Sequence, residues 1–578
     1  MGRGLQWIWV CVLVGFMVFA VGFLPPAALA AEADTLLVNG KIITVDPRDS
    51  IVQAVAIKDG RILAAGSNAT IRKLTGKQTK VIDLKGKTAT PGMIDTHCHV
   101  TALGLGEIGE WVPLFYPEVK SIKEIVRLIG ERAKRTPKGE WIIGRGFDEA
   151  LLEENRMPTC WDLDAVSPDN PVRIHARCPY SVVNSYALKA AKITKDTVTP
   201  PGGTIGKDPK TGEPNGHIAY QAESLLPRAP EPKAELYEKA IRAAQAKLVS
   251  VGITATKDPG VSEGEIKAYR NLRMANELHV RINTLYNIRN KRLKEMEALM
   301  AGWLSIYGDD TLMLTGVKIS LDGSGGGRTA WLYEDWNKDY TEVDVGNKGY
   351  YRGGIPYEEF KEVLKAVHKA GLQITAHCIG DRGIDEYIKI IEEAVQAYPR
   401  KDSRHTVAHC NLSTKEAIER MKRLGDNIVI EPSSVYMYTI GDSYAAGFGP
   451  ERSKRIIPLK TWLKEGLIVG NSSDYTSSDL EPWLGLYAAV VRRPLKGTYG
   501  FTPFGLDECV TIQQALRTYT ADAAKCLFWE NKIGFLEAGK YADIVVWDKD
   551  MYKISGEQLK DLKVTMTMIG GKVVYQAQ

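Results

Sequence analysis

Histidine and cysteine are scarce in these 578 residues, at nine and eight respectively. Cys11 falls in an apolar leader, and the seven cysteines that remain are an odd, widely scattered set, which argues against a disulfide framework. No stripe of clustered basic residues is present and the formal net charge is only +5, so no nucleic-acid partner is expected. Beyond the leader, no segment is apolar over enough residues to cross a membrane. Any bias toward disorder is missing too: 44% hydrophobic and 25% charged residues suit a globular protein with a large core. At about 150 residues per domain the length gives a prior near four domains, or fewer if one is a large α/β barrel.

What is there begins with residues 1–30. Arg3 precedes an apolar run from Trp7 to Leu24, then Pro25-Pro26 and Ala28-Leu29-Ala30, the order of a secretory signal cut after Ala30. Export to the periplasm or beyond is the expectation. The alternative is an uncleaved membrane anchor, because the run approaches the ~20 residues that span a bilayer. From Asp34 to about Thr90, short apolar runs are cut by Asn-Gly, Asp-Gly and Lys-Gly, the punctuation of hairpins. The C-terminal stretch repeats this style, so residues 31–90 and 531–578 are expected to pair into one small β-sandwich.

Residues 91–530 alternate strand-like and helix-like periods. Phe360, Val363, Leu364 and Val367 recur at helical spacing, Gly371 stops them, and the strand-like run 372–378 follows. Eight such strand candidates occur, at 93–99, 252–258, 280–286, 316–322, 372–378, 405–410, 427–432 and 466–474. Repeated β-then-α order predicts a parallel sheet closed into a (β/α)8 barrel. Two further runs, 141–148 and 172–178, fall in a long insertion after the first strand, set at 100–250 and expected to cover the barrel mouth.

Strand alternation turns His97 and His99 to one face and Cys98 to the other, toward packed helices. Two imidazoles at one strand end suit a metal ion; the plainer alternative is a pair of hydrogen-bonded loop histidines. His377, His409 and Asp474 each close an apolar run, where a barrel displays its active-site residues. Four histidines and an aspartate on one rim are hard to satisfy without a cation, and so nitrogen-rich a set points to zinc. Lys318 is costly inside a barrel strand unless paired or modified. It either pairs with Asp474 or Asp322, or carries a carbamate that bridges two metals. His405 lies four residues below His409, roughly 13 Å away, and is read as barrel floor. His368 sits on a helix, and His175, His217 and His279 show no usable spacing.

The runs PGMIDTHCH, GVKISLDGS, AHCIGDRG, VAHC, SSD and IGFLEAGKYADIVVWDKD resemble the metal-dependent amidohydrolase superfamily. The likeness is greatest to the amidohydrolase-3 branch with YtcJ-like proteins and N-substituted formamide deformylases, and it extends over nearly the whole mature chain. It implies a distorted (β/α)8 TIM barrel with a composite β-sandwich, metal-binding roles for His97, His99, His377 and His409, a carboxylated lysine at Lys318 and a catalytic aspartate at Asp474. Arg328, in GSGGGRTA, matches an arginine near the family pocket. Where the branch carries Gly-His before Asn-Ser, this chain has CPYSVVNS, which leaves Tyr180 near the histidine's place as a candidate substrate contact.

The expected activity is hydrolysis of a non-peptide, amide-type carbon–nitrogen bond in a small molecule. One or two divalent ions, zinc foremost, would lower the pKa of water and provide hydroxide, with Asp474 as general acid and base and as a ligand. The rivals are an exported non-catalytic metal-binding or regulatory protein on the same scaffold, and a deaminase, lactonase or isomerase variant.

Overall fold

The computed structural model describes residues 32–177, 180–200, 203–227, 232–336, 348–495 and 504–578. The leader at 1–30 and Cys178 lie outside the described residues. No helix among the described residues is long and apolar enough to cross a membrane.

Seven parallel strands form the central sheet in chain order: Met93–Asp95, Ile253–Val261, Arg281–Asn287, Leu312–Ser320, Gln373–Cys378, His405–His409 and Ile428–Glu431. The stretch 466–474 closes it. On one side Val469 bridges Ile430 in parallel, and Gly470 N–H donates to the Ile430 carbonyl at 2.9 Å. On the other, Thr96 N–H donates to the Asn471 carbonyl at 3.1 Å and Asp474 N–H to the His97 carbonyl at 2.7 Å. Seven of the eight expected strands are therefore present and in order, the eighth stretch joins through a single bridge and these hydrogen bonds, and the fold is a distorted (β/α)8 barrel.

Periodicity explains the helices between them. In Tyr357–Lys369, Phe360, Val363, Leu364 and Val367 are all buried. In Asp381–Ala397 so are Ile384, Tyr387, Ile388 and Ile391, with Val395 packed at the edge. Cys98, Cys378 and Cys410 are buried in the same core, but only Cys378 lies on a strand: the first strand ends at Asp95, so His97, Cys98 and His99 follow it rather than alternate along it, and Cys410 follows His409 in left-handed backbone. Every cysteine among the described residues is a free thiol.

Two further sheets pack face to face. One is wholly N-terminal, ordered Arg61–Gly66, Ala54–Lys58, Ala33–Val38, Thr75–Asp83. The other joins the two ends of the chain, because Ile544–Trp547 pairs antiparallel with Thr88–Pro91. Leu37, Val55 and Ile57 meet Ile544, Val546 and Met568 between the sheets. The Asp59-Gly60 turn linking Ala54–Lys58 to Arg61–Gly66 has φ of 49° and 75°, the left-handed pair that a tight hairpin needs. A buried ion pair fastens this layer to the barrel: Arg281 Nε lies 2.7 Å from Asp543 Oδ2.

The insertion contains its own six-stranded sheet, running from Val112–Pro113 to Pro214–Tyr220 in sequence. The runs expected at 141–148 and 172–178 appear in it as Ile142–Phe147 and Val172–Ala176. The separately folded part is narrower than 100–250. Helix Ala234–Ser250 places Tyr237, Ile241, Ala244 and Leu248 in the barrel core, and Val100–Glu107 crosses it closely. Gly104 permits that crossing, since a Cβ there would sit 1.8 Å from the Ala240 carbonyl oxygen.

Candidate metal centre

Backbone hydrogen bonds lock the ends of barrel strands 1 and 8 together, and this brings distant side chains to one point. Besides the Asp474-to-His97 bond, His99 N–H donates to the Tyr475 carbonyl at 3.1 Å. Asp95 ties the same junction from beneath. Its carboxylate accepts the His97 N–H and the Ser473 N–H, both at 3.0 Å, and the Ser473 hydroxyl at 2.6 Å. As a result Asp474 Oδ1 lies 3.4 Å from His97 Nε2 and 3.3 Å from His99 Nε2.

Three more strands complete the cluster. Lys318 Nζ lies 3.1 Å from His97 Nε2 and forms an ion pair with neither Asp474 nor Asp322. Asp322 instead accepts backbone N–H groups of Trp331, Ile379 and Gly380 at 2.8–3.1 Å. The His409 ring stands 4.5 Å from that of His377 and 5.0 Å from that of His97. His377 Nε2 donates to the Gly323 carbonyl at 2.8 Å, which leaves Nδ1 as its lone-pair nitrogen. The Tyr436 hydroxyl donates to Asp474 Oδ2, and its ring stacks on His409 at 5.8 Å. His409 and Asp474 have φ of 68° and 51°, left-handed backbone that the surrounding bonds must sustain.

Burial sets the charge states. It holds His97 and His409 well below the ordinary imidazole range, with Lys318 adding to the effect on His97 and His377 to that on His409. Burial, then Lys318, brings His377 down to about 4. Burial also lowers Lys318 to about 8, although Asp474 and Glu431 oppose it. For Asp474 burial works the other way, yet the His99 hydrogen bond and the neighbouring imidazoles outweigh it and hold the carboxyl well below its usual range. The same bond raises His99 against the effect of burial.

This set fits a divalent cation. His97, His99 and Asp474 each offer a ligand atom within 4.8 Å of the others. His409 Nδ1 is buried with no partner among the described residues, a cost that native interiors rarely leave uncompensated. Neutral His97, His377 and His409 beside an ionised Asp474 are also in the protonation states that metal binding demands, whereas His99 would release a proton as the cation enters.

All six expected residues thus meet at one rim. They line a cavity of about 400 Å³. Arg328 and Tyr180 are not among its lining residues. Arg328 is buried, with its Nε near Gly447, and Tyr180 donates its hydroxyl to Glu149. The insertion instead contributes Arg145, His175 and Arg177 to the wall. His175 carried no usable sequence signal because its neighbours in the site come from other elements. His405 does lie below the site: its Nε2 is 2.8 Å from His368 Nδ1. Sequence reading missed the enclosed Lys257–Glu431 pair, although a lone charge in an apolar strand run, the signal that exposed Lys318, was present in both strands. Asp95 offered a similar cue. Tyr436, in a loop-borne short helix, offered none.

Comparison with known proteins agrees with this geometry. A family model described as "Amidohydrolase family" matches residues 80–575. The putative amidohydrolase YtcJ of Bacillus subtilis is 28% identical over 93% of this chain and 98% of its own. The N-substituted formamide deformylase of Arthrobacter pascens is 27% identical over 94% and 98%. Among solved structures, an uncharacterized metal-dependent hydrolase from Pyrococcus horikoshii OT3 superposes with a TM-score of 0.69 at 25% identity, covering 90% of this chain and 99% of that one.

Proposed function

The chain belongs to the amidohydrolase family, and from that premise we propose that it hydrolyses a non-peptide, amide-type carbon–nitrogen bond of a small molecule. The observation that carries this reading is Asp474 Oδ1 at 3.3 and 3.4 Å from the two strand-1 imidazoles, with its other oxygen held by Tyr436.

His97, His99, His377, His409 and Asp474 would hold a divalent cation, for which so imidazole-rich a set favours zinc. Such a cation supplies Lewis acidity toward a carbonyl oxygen and acidifies water at the site. Asp474 performs the proton transfers. Its ionised carboxylate takes a proton from the attacking water and returns it to the departing nitrogen. Tyr436 fixes the carboxylate plane, and Gly323 fixes the His377 ring through its Nε2 hydrogen bond. Lys318 is proposed to carry a carbamate: an ammonium 3.1 Å from a ligand nitrogen would repel a cation, whereas a carbamate adds an anionic oxygen. A carbamate favours two ions and a free lysine favours one. The order of Arg3, the apolar run from Trp7 to Leu24 and Ala28-Leu29-Ala30 supports a site of action outside the cytoplasm, free or held at the membrane by an uncleaved leader.

The test combines metal analysis with a panel of N-formyl and N-acyl amides, N-formyl compounds first because a relative is named for deformylation. One to two equivalents of metal are expected, with matched release of carboxylate and amine. Asp474→Asn is expected to abolish turnover and retain most of the metal. A protein that binds no metal sinks the proposal, and so does an Asp474→Asn variant that keeps its rate.

A further inference from the structure

The cavity that contains the metal cluster is crowded with guanidinium groups. Arg145, Arg177 and Arg289 line it directly. Arg145 and His175 are register partners on adjacent parallel strands of the inserted sheet, and Arg173 lies two residues before His175. All three therefore leave the same face of that sheet. Arg289 comes from the barrel. It follows strand Arg281–Asn287, whose last residue pairs with Lys318, and its N–H donates to the Asn287 side chain at 2.9 Å.

Only some of this charge is balanced. Glu223 takes Arg173 at 2.8 Å, and Asp479 takes Arg177 at 3.3 Å. Arg145 and Arg289 form no ion pair with a carboxylate among the described residues, and Glu223, already paired with Arg173, favours the charge on both only from a distance. Burial, followed by Arg173, pushes the Arg145 guanidinium down to about 10. His175 cannot help, since burial and both arginines keep it neutral. A cation at the histidine cluster adds further positive charge to the same space. Arg289 reaches the cavity from an exposed position, whereas Arg145 is half-buried beside Arg173, and there the like charge is costly unless an anion joins it.

We propose that the substrate brings that anion: it is a small amide bearing a carboxylate, received by Arg145 and Arg289 while its carbon–nitrogen bond lies at the histidine cluster. The proposal rests on the hydrolase reading for the identity of the bond, but the anion site stands on the arginines alone. A planar carboxylate matches the guanidinium fork in two parallel hydrogen bonds. A cavity of about 400 Å³ suits a molecule of the size of an acylated amino acid.

The experiment measures binding, so it needs no turnover. The probes are 4-oxopentanoate, which has a ketone in place of the amide, and the neutral 5-hydroxypentan-2-one, titrated into metal-loaded and metal-stripped full-length protein. The carboxylate is expected to bind at least about tenfold more tightly than the alcohol. Arg145→Met and Arg289→Met should each remove most of that preference while leaving the alcohol's affinity unchanged, and Arg145→Lys should retain part of it. Equal binding of the two probes overturns the proposal. A preference that survives both replacements and vanishes only with the metal also overturns it, because the carboxylate is then on the cation. If the acid preference holds in a protein that hydrolyses no amide, the hydrolase reading fails and the anion site remains.

Discussion

Lys257 and Glu431 form an ion pair across the barrel interior, with neither side chain exposed to solvent. They extend from strands 2 and 7, and Glu431 also helps to offset the burial of Lys318. Removing one partner strands a charge in a dry interior, a loss of about 3–5 kcal/mol. Lys257→Met is therefore expected to lower the urea midpoint strongly, and Lys257→Met/Glu431→Leu to recover most of the loss. Additive losses in the double variant would contradict a simple paired-charge account.

Asp95 touches no ligand side chain, yet it receives the His97 N–H and both Ser473 donors. Burial is the largest influence on its carboxyl and brings it up to about 7. Asp95→Ala should weaken metal affinity by about 10- to 100-fold, the usual cost of losing an outer partner, without removing a candidate ligand. Competition with a chelator of known affinity measures this directly.

Metal removal should reveal how much the centre contributes to stability. Binding that favours the folded state adds about 2.7 kcal/mol when free metal is a hundredfold above its dissociation constant. Stripped protein should melt lower and recover on adding zinc. His97→Ala and His99→Ala should lose the recovery, whereas His175→Ala should retain it.

The floor histidines make stability depend on pH. His405 Nδ1 accepts the Ile374 N–H at 3.0 Å, its Nε2–H donates to His368, and His368 Nε2–H reaches the Tyr398 carbonyl at 2.8 Å. This chain has no place for an added proton. Burial, reinforced by His368 and Arg400, holds His405 well below its ordinary value, and burial lowers His368 too. A depressed folded pKa means that the unfolded chain binds the proton first, so stability is present above about pH 6.5 and is lost as the pH falls. One fully suppressed histidine costs about 2 kcal/mol at pH 5. Denaturation between pH 7 and 5 should show a slope in metal-loaded wild type that His405→Gln reduces by about one proton.

Much of the architecture was legible because its signals are local. Apolar runs separated by amphipathic helices disclosed seven strands and the closing stretch 466–474 in order, and the His97-Cys98-His99 motif marked the site although it lies just past its strand, which ends at Asp95. Asp59-Gly60 marked one hairpin of the sandwich, whereas Asn39-Gly40 and Lys85-Gly86, read the same way, carry the chain from one sheet to the other. His377, His409 and Asp474 stood out because each ends such a run, and a barrel presents its run ends on one rim. Tertiary structure alone decided which side chains meet there from outside the barrel. Nothing near Arg145, His175 or Tyr436 in the chain announces a neighbour hundreds of residues away. Those encounters depend on how the inserted sheet and the segment after strand 7 settle over the mouth. Tyr180 and Arg328 show the same limit: a motif put them by the pocket, but Tyr180 opens a strand of the inserted sheet and donates to Glu149, and Arg328 is buried beside Gly447. Periodicity fixes which face a residue occupies, whereas the partner on the other side is selected by long-range packing, and that leaves no local trace in the chain.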